Sequence, residues 1–258
     1  MINKAILKQI SSYKQKKFRD EDQVFVVEGE KMIKELVASD FEVVCICANE
    51  EWINNNTSIA KNHKIYQASP TELERISNLK TPDKVLAVVK QKSISLSFNQ
   101  KESEDYKNRL TLVLDDIKNP GNLGTIIRLA SWFGIKDIIC SKESVECYNP
   151  KVVQASMGAI FHTNINYTDI YSILQAVPKD FNVYGAVLNG GNNIYKEKLD
   201  NRGMIVIGNE SLGISPKILR TINKPITIPT FSSQREVESL NASMATAIIL
   251  SEFKRREI

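Results

Sequence analysis

Hydrophobic and polar positions divide the chain into two α/β stretches. In the first, residues 24–27 predict a short strand. Residues 29–37 predict a helix with apolar positions at 32, 33, 36 and 37, and the β-branched run 41–48 (FEVVCICA) a buried strand. Ser69-Pro70-Thr71-Glu72 opens a further helix, with an N-cap followed by proline at the first helical position. Residues 85–90 form another strand. From 91 to 109 the composition turns polar and charged and the periodicity fades, apart from an optional edge strand at 94–98. The expected organisation is a small α/β domain over 1–95, a linker over 96–109 and a larger domain over 110–258.

The larger stretch alternates regularly. Strands are expected at 110–114, 135–140, 164–167, 182–188, 204–207 and 226–228, with helices between them after the NPGN turn at 119–122 (Leu123 to Gly134) and near 149–158, 169–177 and 215–223. A last helix runs from about 238 to the basic end Lys254-Arg255-Arg256. Strands alternating with helices imply a mainly parallel sheet covered on both faces. Ligands of such sheets sit beyond the carboxyl ends of the strands. Three polar loops fall there: 115–124 (DDIKNPGNLG), 208–213 (GNESLG) and 228–241.

Composition narrows the chemistry. The 258 residues are 42% hydrophobic and 25% charged, which excludes fibrous and disordered classes. Net charge is only +4, so it permits a polyanionic partner without naming one. The first 19 residues hold Lys4, Lys8, Lys14, Lys16, Lys17 and Arg19 with no acidic residue, and read either as a solvated helix face or as a phosphate-contacting arm. Any histidine chemistry would have to use His63 or His162. The four cysteines fall as C-x-C (Cys45, Cys47) and C-x6-C (Cys140, Cys147), unlike zinc or redox motifs, and are expected as reduced, mostly buried thiols. No metal site is expected. Neither a secretory leader nor an 18-residue apolar run is present, so the expectation is a cytoplasmic protein with no membrane partner.

Standard nucleotide fingerprints do not account for the loops. Gly121 and Gly124 give G-x-x-G, and Gly213 is followed by Ile214-Ser215 where a phosphate loop needs Lys-Ser/Thr. A nucleotide-binding oxidoreductase is thereby demoted. Gly121-Asn122 taken alone is an ordinary turn and helix cap. Arg128, six residues after Asn122 in an otherwise apolar helix, is the anomaly: a cation close to a helix N-terminus is unfavourable unless a phosphate or carboxylate accompanies it.

At these residues the chain resembles the SpoU/TrmH RNA 2′-O-ribose methyltransferases of the SPOUT superfamily. The matching motifs are NPGNLGTIIR at 119–128, IVIGNESLG at 205–213, and Ile228-Pro229 followed by SLNASMA at 239–245. The segment KVVQASMGAIF at 151–161 resembles the intervening helix, with Ser156 and Gly158 in an Ala-Ser-x-Gly pattern. The first stretch resembles, through its α/β pattern and FVVEG at 25–29, the ribosomal-protein-like RNA-binding domain that many members carry.

The resemblance implies a C-terminal trefoil knot that binds S-adenosyl-L-methionine, and a homodimer. The partner it implies is RNA, ribosomal first and transfer RNA next, with no DNA expected. Carried over residue by residue, the cofactor side comprises Leu188, Asn189, Gly190, Gly208, Asn209, Ile228, Pro229, Leu240 and Ser243. The acceptor side comprises Asn122, Arg128, Glu210, Ser239 and Asn241. Methyl transfer from a sulfonium to a ribose hydroxyl needs a positioned acceptor and an exit for its proton. A guanidinium stays protonated, so Arg128 is expected to bind phosphate and stabilise the developing alkoxide while the proton leaves through phosphate, water or Glu210. Residues 230–238 are about three residues longer than the family's usual loop and lack its customary glycine, which keeps open a second reading, a non-catalytic RNA-binding or ribosome-assembly protein on the same fold.

Overall fold

The computed structural model describes residues 1–92, 108–232 and 239–255. The expected edge strand at 94–98, most of the linker and residues 233–238 of the long loop lie outside that set. The chain forms two compact units. One comprises the described residues before 93 together with Tyr148–His162, and the other the rest.

The first unit is built on β1 (Val24–Glu28), β2 (Val43–Ala48), β3 (Ile65–Gln67) and β4 (Val85–Lys90), in the order β1-β4-β2-β3. β4 is antiparallel to both its neighbours, and β2 and β3 are parallel. Its helices are α1 (Lys4–Ser12), α2 (Lys16–Asp22), α3 (Glu30–Val37), α4 (Glu50–Asn55), α5 (Thr57–Asn62) and α6 (Pro70–Ile76). The predicted cap of α6 is a full capping box: Ser69 accepts from the Glu72 amide while Glu72 accepts from the Ser69 amide. Period-two alternation assigns the two faces of the sheet. Val24, Val26, Cys45, Cys47, Leu86 and Val88 point to one side, against Ile10 and Tyr13 of the N-terminal segment and Leu73 and Ile76 of α6.

The opposite face carries Phe25, and its cover comes from far along the chain. The Phe25 ring stacks on Tyr148 at 4.5 Å and meets Phe41 edge-on at 5.8 Å; Phe41 in turn meets Phe161 at 5.5 Å. Helix α8 (Pro150–Ser156), expected to cover the second sheet, therefore packs in the first unit. A strand whose five residues are all buried requires cover on both faces, but that requirement does not say which segment supplies it.

Among the basic residues of the leading segment Arg19 alone is withdrawn from the surface; Lys4, Lys8, Lys14, Lys16 and Lys17 are exposed. Arg19 is buried and donates to the carbonyls of Tyr13 and Lys14, where it holds the α1–α2 turn. Lys16 and Lys17 pair with Asp20 and Glu21 one helical turn on.

The second unit is a seven-stranded sheet, parallel throughout, ordered β7-β6-β5-β10-β8-β11-β9. Its strands are β5 (Leu110–Leu114), β6 (Asp137–Ser141), β7 (Asn164–Thr168), β8 (Val183–Ala186), β9 (Asn192–Asn193), β10 (Gly203–Ile207) and β11 (Lys224–Thr227). The two-residue β9 here and the three-residue β3 in the first unit fall outside the strands the hydrophobic pattern predicts. Val113, Ile139, Met204 and Val206 face α9 (Ile170–Ala176) and α10 (Pro216–Leu219). The other face is covered by α7 (Pro120–Trp132) and α11 (Ala242–Arg255), which pack together, with Phe253 of α11 edge-on to Tyr184 at 4.8 Å. The expected helix at 215–223 is one short turn, and the last helix begins at Ala242 because Asn241 caps it.

The first sheet should depend on its distant cover. A fragment ending at residue 92 lacks Tyr148 and Phe161, and is expected to bind a hydrophobic dye and to unfold several degrees below the first unit of the full chain, for a loss of about 1–3 kcal/mol. Fluorescence of the buried Trp52, in a Trp132→Phe background, reads this transition.

Candidate active site

In the sheet order, β5, β10, β8 and β11 are consecutive, so their carboxyl ends form one continuous edge. Asp115 and Asp116 follow β5, Gly208 and Asn209 follow β10, Leu188, Asn189 and Gly190 lie beyond β8, and Ile228 and Pro229 follow β11. Gly208 is required by packing: a Cβ there would lie 2.2 Å from the Gly213 carbonyl carbon. Gly190 has φ +77°, a left-handed conformation that suits glycine.

Three segments meet at Asn122. Pro120 and the Asn119 cap start α7, the cap oxygen accepting from the amides of Gly121 and Asn122 at 2.8 and 3.2 Å. One turn in, the buried Asn122 donates from Nδ2 to Glu210 Oε1 at 2.8 Å, and its Oδ1 accepts from Asn241 Nδ2 at 2.8 Å. The Asn241 oxygen in turn accepts from the Ser243 hydroxyl at 2.7 Å and the Ser243 amide at 2.9 Å. Carboxylate, amide, amide and hydroxyl thus form one directed chain across motifs nearly 120 residues apart.

Glu210 is held as an anion. Burial pushes its carboxyl up, but donation from Asn122 and from the amides of Asn119 and Lys118 outweighs this and leaves it below the usual carboxylate range. The position of the carboxylate at the start of α7 adds to the effect, since a helix N-terminus favours negative charge.

Not every expected residue joins this chain. Arg128 is exposed, and its side chain makes no hydrogen bond or ion pair among the described residues. It lies more than two turns into α7, nearer the C-terminal end, so the dipole argument for a bound anion does not apply; its availability is the relevant property. Ser239 is exposed, with no hydrogen bond among the described residues. The Asn209 side chain is fully engaged within the protein: Nδ2 donates to the Asp116 carbonyl at 2.8 Å, and Oδ1 accepts from the amides of Ser211 and Leu212. It shapes its own loop and has no free polar atom to offer a ligand.

Of the expected cofactor residues, Leu188 and Leu240 are exposed leucines on the loop after β8 and ahead of α11; Leu212, outside that expectation, is exposed on the loop after β10. Ser243 is buried and spent on the Asn241 cap. Residues that pattern reading passed over include Asn119, whose place before proline was an available signal, and Asp116 and Lys118, whose roles depend on contacts distant in sequence.

Residues 109–251 match the SpoU rRNA methylase family and residues 3–87 the MRM3-like substrate-binding domain. The chain is 23% identical to the 23S rRNA (guanosine(2553)-2′-O)-methyltransferase RlmP of Bacillus subtilis, over 95% of this chain and 98% of that protein. It is 30% identical to an uncharacterized tRNA/rRNA methyltransferase of Borreliella burgdorferi, over 76% and 81% of the two chains. A solved structure described as an RNA methyltransferase of the TrmH family from Porphyromonas gingivalis superposes with a TM-score of 0.86 at 32% identity, over 99% of each chain. With more than half its length in the match, and with the matched segment containing Asn122, Glu210 and Asn241, the chain belongs to the SpoU rRNA methylase family.

Proposed function

We propose that the protein transfers a methyl group from S-adenosyl-L-methionine to a ribose 2′-hydroxyl of ribosomal RNA. The observation that carries this reading is the Glu210–Asn122–Asn241 chain at the carboxyl edge of the parallel sheet; Arg128, whose side chain has no protein partner among the described residues, lies further along the helix that carries Asn122. The cofactor would lie along the ends of β8, β10 and β11, against Leu188, Leu240 and the backbone of Gly208, Ile228 and Pro229. It supplies the electrophilic methyl group.

The chain's own residues do the rest. Arg128 binds the phosphate next to the acceptor ribose, bidentately, and stabilises charge as the hydroxyl loses its proton. Asn122 fixes the floor of the acceptor site, its amide orientation set by Glu210 on one side and Asn241 on the other. Glu210 is a poor proton acceptor because its anion already receives three donors; the proton passes to the substrate phosphate or to water. Ser239, exposed two residues before Asn241, is assigned to the RNA side.

A homodimer and a C-terminal trefoil knot belong to the same reading. Trp132 and Met244 are exposed on α7 and α11, which supports pairing through that helix layer. The knot is supported by the return of the chain after β11 to Asn122. The small first unit presents RNA, in line with its family match. No helix among the described residues is long and apolar enough to cross a membrane, and the proposed site of action is the cytoplasm.

Two variants test the assignments, with transfer of labelled methyl to ribosomal RNA from cells lacking the gene as the readout. Arg128→Lys should lower kcat/KM by about 10²-fold because an ammonium cannot make the paired contact, and near-normal turnover would defeat the bidentate role. Glu210→Gln should lower kcat without changing the shape of the pH profile between about pH 6 and 9, since a carboxylate already ionised does not titrate there. The sign also holds for stability: a depressed carboxyl stabilises the fold above its unfolded pKa, and the contribution is lost as pH falls through the folded value. Glu210→Gln should therefore flatten the acid limb of the stability curve.

A further inference from the structure

One residue next to this site departs from ordinary backbone geometry. Asp116, the second residue after β5, has φ +61°, a left-handed conformation that a non-glycine residue adopts at a cost. Glycine would satisfy that backbone more easily, so the side chain has to account for the aspartate. It has two partners. Asn209 Nδ2 lies 3.2 Å from Asp116 Oδ2 as well as bonding the Asp116 carbonyl, and the Lys118 ammonium pairs with Asp116 Oδ1 at 2.6 Å. The Asp116 amide donates to Ser141 at the end of β6, which anchors the turn from behind.

Both partners lead to Glu210. Asn209 closes the 208–213 loop through the amides of Ser211 and Leu212, and its own backbone pairs with Gly213 in both directions. Glu210 is the next residue in that loop. Lys118, which also reaches the Glu143 carbonyl, directs its amide toward Glu210 Oε2. The loop after β10 is therefore joined to the loop after β5 through the carbonyl and the carboxylate of Asp116 as well as through Glu210.

We propose that Asp116 is a positioning residue for methyl transfer: by holding Asn209 and Lys118 it sets the loop that presents the Glu210 carboxylate to Asn122. This rests on the methyltransferase reading for its catalytic consequence, but not for its structural one. Asp116 touches no reacting atom. A shift of Glu210 loosens the Asn122 amide, and misplacement of that kind lowers turnover more than binding.

The test uses the full chain with Asp116→Gly, which keeps the left-handed backbone and removes both side-chain contacts, and Asp116→Asn, which keeps an oxygen able to accept from Asn209. Amide hydrogen exchange is followed at Ser211 and Leu212, and kcat and KM are measured on ribosomal RNA from cells lacking the gene. For Asp116→Gly the expected result is about tenfold faster exchange at those two amides, with β5 and β10 unchanged, and about tenfold lower kcat with KM within about twofold. Asp116→Asn should recover a large part of both. Parent-like exchange in Asp116→Gly, faster exchange spread over the whole sheet edge, or failure of Asn to rescue either readout would overturn the proposal. If the parent protein itself methylates no ribosomal RNA, the activity reading falls, and the exchange measurement still decides the role of Asp116.

Discussion

The carboxamide of Asn122 is the point on which the site depends. It has one donor end and one acceptor end, and the protein occupies both, with Glu210 on the first and Asn241 on the second. Because the two ends are chemically distinct, the amide can sit only one way round, and the three segments that carry these residues must arrive together. Glu210 can serve as the fixed acceptor because it stays ionised, held by backbone amides at the start of α7 as well as by Asn122. A neutral carboxyl would offer a competing donor and loosen the register.

That arrangement is possible because the sheet is parallel. All four strands β5, β10, β8 and β11 end at the same edge, so loops far apart in sequence become neighbours there. Strands β5 and β10 are buried throughout and mostly apolar, while polar residues collect where the hydrogen-bond ladder stops. The positive φ of Asp116 and the Cβ-excluding contact of Gly208 sit at these ends, next to the hydrogen-bonded chain.

The first unit shows a different dependence. Its sheet has one face covered by helices near in sequence and the other covered by aromatic rings on a segment that follows β6 by several residues. Arg19 belongs to the same packing: a residue that composition alone makes a surface cation is spent on two backbone carbonyls in the interior.

The amino-acid order by itself determined most of the secondary structure and the location of the site. Short strand-like runs alternating with helical spacing announce a covered parallel sheet, and Gly, Asn and carboxylates placed after those runs mark its functional edge. Local chemistry was equally legible at the Ser69 cap, which follows from neighbours within three residues, whereas the cap expected at Gly121-Asn122 falls on Asn119, ahead of Pro120. Tertiary structure alone decided which of the expected residues bond to one another, that Asn209 is turned inward, that Arg128 stands clear of the helix start, and that residues 148–162 belong with the first sheet. The reason is physical. Periodicity reports whether a face is buried and a cap reports its own turn, but the identity of a partner 25 to 120 residues away is settled only when the packed strands bring donors and acceptors within 3 Å.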